Sequence, residues 1–213
     1  VRIAFGNASY HPGDTRGRNA HIHQFITQAV AQGHEIWVWP ARQAHPAVKV
    51  LPAGRLDRLA ALRSMDAVYI RLQNDPVDIQ RYGAFPYRQI IGSPVMVWEF
   101  NTLPVSLSAN GNADSAARNL AQFKRYAPGC DLAVCVSDWL AGFVSTELNI
   151  RRCLVVPNGS DPQMFRPDVV SPVERVRRSE RGINVVWIGS ARLEWHNFSL
   201  LRDAARLLYE RPL

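Results

Sequence analysis

Glu99-Phe100-Asn101 stands where an apolar run, residues 94–99, gives way to a long polar loop. A carboxylate at such a strand end, facing a cleft, orients a hydroxyl or accepts its proton, which is the work of a general base. The structural alternative is a glutamate bonded to nearby backbone or to an arginine. A second group of polar residues lies in the loop that ends Gly13-Asp14-Thr15-Arg16-Gly17, just before a helical segment. The free N–H groups of a helix start receive anions, and Arg16 and Arg18 would add charge-assisted bonds to a phosphate. The spacing is neither GxGxxG nor GxxxxGK, so neither a nicotinamide fingerprint nor a P-loop is present. Ser137-Asp138 begins another helix, where a serine is first of all an N-cap. Asn158-Gly159-Ser160-Asp161 is turn chemistry: glycine allows an unusual backbone, and Asn and Asp bond to it locally.

These positions share one feature, in that each follows a predicted strand. Residues 1–6, 35–39, 48–51, 67–71, 94–99, 132–136 and 153–156 read as strands, short and apolar. Between them residues 18–33 carry Ile22, Phe25, Ile26, Ala29 and Val30 at helical spacing, with Gly33 as the stop. Residues 56–65, 113–127 and 138–148 also read as helices, the last with Leu140, Phe143 and Val144 inward, and residues 78–91 as partly helical. Strands alternating with helices predict an α/β fold, with a doubly wound parallel sheet covered on both faces. In such a sheet ligands bind beyond the carboxyl ends of the strands, where Arg16, Gly17, Glu99, Asn101, Ser137, Asn158 and Gly159 all fall.

Residues 169–182, with the charged run Glu174-Arg175-Val176-Arg177-Arg178-Ser179-Glu180-Arg181, lack an apolar stripe and read as a linker. One further strand, 184–188, and one further helix, 198–209 with Leu201, Ala204, Ala205 and Leu208 on one face, follow it. The predicted organisation is therefore a first domain over 1–168, a linker over 169–182, and the start of a second Rossmann-like domain over 183–213.

The net charge of +7 is carried by arginine, lysine occurring only at Lys49 and Lys124. A solvated surface explains part of this; affinity for phosphate-bearing ligands or for an anionic membrane surface is the functional reading. Nothing resembles a helix-turn-helix, an RNP motif or a basic helix, so no nucleic-acid partner is expected. The three cysteines, Cys130, Cys135 and Cys153, are scattered and read as reduced thiols of a cytoplasmic protein. No zinc spacing, signal peptide or membrane-length apolar run is visible.

Val155-Val156-Pro157-Asn158-Gly159, then a polar loop closed by Phe165-Arg166-Pro167, then Val185-Val186-Trp187-Ile188-Gly189, resembles the domain junction of the two-domain (GT-B) glycosyltransferases of family 4. Gly33-His34-Glu35-Ile36 is similar to the Gly-His-Glu-Val that follows the first helix in that family. Arg16-Gly17 stands where Gly-Gly is usual, and His21 lies near a position often occupied by histidine. Glu99-Phe100-Asn101 is similar to a Glu-x-Asn pattern of some members, and the Ser137 turn borders the cleft in the family. Beyond Gly189, Arg192 and His196 stand in for the arginine and lysine that bind the donor diphosphate.

The resemblance implies an enzyme that moves a sugar from a nucleoside diphosphate sugar to a hydroxyl of a glycan or lipid-linked acceptor. It implies retention of configuration and no metal or other cofactor, in keeping with the absence of an Asp-x-Asp triplet. The setting would be bacterial polysaccharide or envelope glycan synthesis, in the cytoplasm or at the inner face of the membrane. Glu99 is the expected catalytic residue, and Glu99→Gln is expected to lower turnover by about 10²-fold with little cost to folding. The chain is expected to hold only one wall of the site and to be inactive alone. The alternatives are a GT-B sugar epimerase, and an α/β scaffold domain that docks on anionic surfaces.

Overall fold

The strand at residues 2–6 lies inside the sheet, with a strand hydrogen-bonded on each side of it. The computed structural model describes residues 1–6, 17–39, 45–72, 94–102, 113–159 and 198–210. Within them β1 (Arg2–Gly6), β2 (Glu35–Trp39), β3 (Lys49–Val50), β4 (Ala67–Leu72), β5 (Val95–Phe100), β6 (Leu132–Cys135) and β7 (Cys153–Val155) form one sheet. Every pairing is parallel, and the order is β3-β2-β1-β4-β5-β6-β7. The chain winds outward from β1 to one edge, returns past it, and winds outward to the other. The fold is α/β and Rossmann-like, with the reversal between β1 and β4.

The helices are α1 (Gly17–Ala31), α2 (Arg55–Arg63), α3 (Ala113–Tyr126), α4 (Asp138–Glu147) and α5 (Phe198–Glu210). Strand alternation sends successive side chains to opposite faces, and the two faces hold separate cores. On one, Ile22 and Ile26 of α1 lock with Phe5, Ile36 and Val38. On the other, Val68, Ile70, Met96, Trp98, Phe100, Ala133 and Cys135 pack with Leu62 of α2, Phe123 of α3, and Leu140 and Val144 of α4.

The helix ends follow from local chemistry. Gly33 has φ +80 and closes α1: its N–H bonds Val30 O at 2.9 Å, and His34 N–H bonds Ala29 O at 3.0 Å. This is the Schellman arrangement, in which a left-handed residue lets the last carbonyls find donors. A Cβ built at Gly33 meets nothing within 4 Å. Gly33→Ala is therefore expected to cost only the left-handed backbone of an L-residue, about 1–2 kcal/mol, read as a lowered urea midpoint at unchanged m-value. Asn149, at φ 54, ends α4 in the same backbone region.

The chain divides into two compact units, 1–157 and 158–213. The expected linker 169–182 and the expected strand 184–188 lie outside the described residues. Of the second unit the structure describes Asn158, Gly159 and α5, whose residues Phe198, Leu200 and Leu207 are exposed. No helix among the described residues is long and apolar enough to cross a membrane.

Candidate functional site

Five side chains from three elements and one loop meet at the carboxyl edge of the sheet, beside the reversal. Their positions follow from two regularities. Arg71 of β4 lies in register with Glu99 of β5, so both project from the same face, and Tyr69 and Asn101 follow by the two-residue period. On α1, His21 and Phe25 are one turn apart and share a row beside Ile22 and Ile26. Packing Ile22 and Ile26 into the core thus carries His21 and Phe25 over β4 and β5. Phe25 stacks on Tyr69, their ring centres 4.7 Å apart, and Phe5 meets Tyr69 edge-on at 5.4 Å. The aromatic trio fixes the direction of the Tyr69 hydroxyl.

Glu99 is the centre of the cluster. Its Oε2 accepts from Tyr69 Oη at 2.8 Å and lies 3.1 Å from His21 Nε2. Its Oε1 accepts from Arg71 Nε at 3.1 Å and from Asn101 Nδ2. The Glu99 side chain is 3% exposed and Arg71 14%, against 31% for His21. Burial alone would raise the Glu99 carboxyl. The hydrogen bond and charge of His21, then the bonds from Asn101 and Tyr69, overcome that and hold it down at about 2. Tyr69 moves the other way: burial and then the neighbouring carboxylate push its phenol well above the usual value. The cluster is thus a buried carboxylate with each oxygen doubly engaged, edged by a histidine that is still about a third exposed.

This bears directly on the expected role of Glu99. A carboxylate depressed this far and this fully engaged is a weak proton acceptor, and its arginine partner matches the structural alternative for a strand-end glutamate. The expectation that Glu99→Gln costs little in folding meets the same burial, because the substitution acts on an ion pair inside the protein. Asn101 joins Glu99 as the shared strand end suggests, and His21, which the sequence placed with the Arg16-Gly17 segment, joins them across the fold. Gly17 opens α1 one turn before His21, and a Cβ there meets nothing within 4 Å. Ser137 accepts from Leu140 N at 3.3 Å and caps α4. Asn158 and Gly159 are exposed and open the second unit. Arg16, Arg192 and His196 lie outside the described residues.

Sequence reasoning did not single out Tyr69 and Arg71. The signal was present in the run Ala67-Val68-Tyr69-Ile70-Arg71-Leu72, where alternation puts the two polar-tipped residues on one face of an otherwise apolar strand. A second pair was also missed: His23 Nδ1 and His45 Nε2 are 3.1 Å apart, and His45 Nδ1 accepts from Ala47 N at 3.2 Å. Burial, then the charge of His23, lowers the His45 pKa. The thiols are free, and burial pushes Cys130 and Cys135 up to about 12, which leaves them unreactive. No group of three or more His, Cys, Asp or Glu side chains among the described residues has the geometry of a metal site. A shallow cleft lined by Lys124, Pro128, Glu147, Leu148 and Asn149 sits at the C-terminal ends of α3 and α4, on the opposite edge of the sheet.

No family model matches this sequence. A search of the curated proteins likewise finds no match.

Proposed function

We propose that the chain is the acceptor-side domain, with the start of the donor-side domain, of a GT-B glycosyltransferase resembling family 4. The reaction would carry a sugar from a nucleoside diphosphate sugar to an acceptor hydroxyl of a glycan or lipid-linked glycan, retaining and without a metal, in the cytoplasm or at the inner membrane face. The observation that carries the reading is the convergence of His21, Tyr69, Arg71 and Asn101 on Glu99. It lies beside the β1–β4 reversal, at the edge where open parallel sheets take ligands. The division of the chain after Pro157, directly before Asn158-Gly159, supports the junction reading of that motif.

The test is release of nucleoside diphosphate from a panel of nucleotide-sugars by the complete gene product, supplied with lipid-linked and soluble glycan acceptors. Release is expected with an acceptor present and is expected to survive EDTA. Interconversion of the sugar nucleotide without an acceptor would assign the chain to the epimerase class instead. Binding to anionic liposomes with no response to any nucleotide-sugar would make it a scaffold domain.

A further inference from the structure

We infer that Glu99 is a positioning residue for His21, and that the pair sets His21 Nδ1 as the hydrogen-bond acceptor for an uncharged hydroxyl of the bound ligand. The argument is one of donor and acceptor counting. Arg71 Nε–H and the Asn101 amide N–H can only donate, and both reach Glu99 Oε1. The Tyr69 hydroxyl donates to Oε2. Two donors fill Oε1, and the Arg71 guanidinium paired with it favours the ionised form, so the group is a carboxylate and accepts only. His21 Nε2, 3.1 Å from Oε2, must then carry a hydrogen. In the neutral imidazole one nitrogen donates and the other accepts, so the lone pair is placed on Nδ1, on a side chain that is 31% exposed.

The charges at the site favour a neutral ligand group. Glu99 and Arg71 are of opposite charge, and the deprotonated imidazole, the form of His21 that exposes a lone pair, adds no charge of its own. A hydroxyl donates to such a nitrogen, whereas the ionised oxygens of a phosphate have no hydrogen to give and meet no net positive charge there. That nitrogen, which makes no hydrogen bond among the described residues, is therefore suited to a polyol or sugar hydroxyl. Glu99 does not touch that hydroxyl; it sets the tautomer and the angle of the ring that does, as second partners of histidines do elsewhere.

The ligand class rests on the glycosyl-transfer reading, and the test separates the two. Histidine labelled with ¹⁵N in the complete protein, observed at about pH 9 where imidazole side chains are neutral, reports the tautomer of each ring. The His21 signals are assigned by their loss in His21→Asn. The expected result is the Nε2–H form in excess of about tenfold, as a charge-assisted bond to a carboxylate gives. A predominantly Nδ1–H ring, or an even mixture, overturns the inference in the unmutated protein, whether or not any Glu99 variant folds.

Where Glu99→Gln does fold, its amide both donates and accepts, so the excess is expected to collapse toward unity; persistence of the full excess overturns the positioning role. Tyr69→Phe, which leaves the carboxylate in place, is expected to keep the Nε2–H form. Methyl α-D-mannopyranoside at millimolar concentration is the neutral probe, with inorganic phosphate as the anionic one. A shift of the His21 Nδ1 resonance with the mannoside and not with phosphate supports the inference; no response to the mannoside, or a response to phosphate alone, overturns it. Response to the mannoside without turnover of any nucleotide-sugar leaves the inference standing and removes the glycosyl-transfer reading.

Discussion

Replacing Glu99 with leucine is expected to destabilise the first unit by about 3–5 kcal/mol, the cost of removing one partner of a buried ion pair. The loss arises mostly from what stays behind. Arg71, only 14% exposed, would keep its charge without its carboxylate, and the Tyr69 hydroxyl and Asn101 amide would lose their acceptor. In a chain of this size each kcal/mol moves the melting temperature by about 2–4 °C, so a fall of about 6–20 °C is expected in a calorimetric scan. Pairing Glu99→Leu with Arg71→Met should recover much of the loss, because an apolar pair of similar volume needs no compensation. A Glu99→Leu protein that melts with the wild type would show that water already reaches the pair.

The same carboxylate predicts a specific acid sensitivity. Its ordinary value of 4.5 falls to about 2 in the folded protein. A depressed acid stabilises the fold fully above its unfolded value, and the contribution is lost as pH falls toward the folded one. The difference corresponds to roughly 3 kcal/mol at one unit per 1.36 kcal/mol. Urea unfolding of wild type and Glu99→Gln, measured between pH 6 and pH 2, is expected to show a gap that is constant above about pH 5 and closes as the acid range is crossed. A gap that stays constant down to pH 2 would mean that Glu99 titrates as an ordinary glutamate.

The fold was largely legible because its signals are local. The strand at 35–39 is found as expected, and Gly33 stops α1 by the backbone geometry that glycine at this place implies. Where boundaries moved, a neighbour decided them: β3 keeps only Lys49 and Val50, the residues that find partners on Trp37 and Val38. Ser137 behaves as the N-cap its sequence position suggests.

The candidate site was legible in part for the same reason. Glu99 and Asn101 mark a strand end that can be seen in one dimension, whereas Tyr69 and Arg71 matter only because β4 lies beside β5. His21 gains its partner across a separation of 78 residues. Strand order is a property of the whole sheet, and no pattern within residues 67–72 encodes which strand will stand next to them.

The interior place of β1 has a consequence for how the protein is made. β1 is paired on one side by β2, from Arg2↔Glu35 onward, but on the other by β4, from Ile3↔Ala67. Until β4 emerges, an apolar strand waits with one edge open, and the sheet cannot extend toward β5, β6 and β7. Contacts this distant in sequence form slowly and leave aggregation-prone edges exposed meanwhile. A chain extended only as far as residue 66 therefore holds β1 with that edge unpaired.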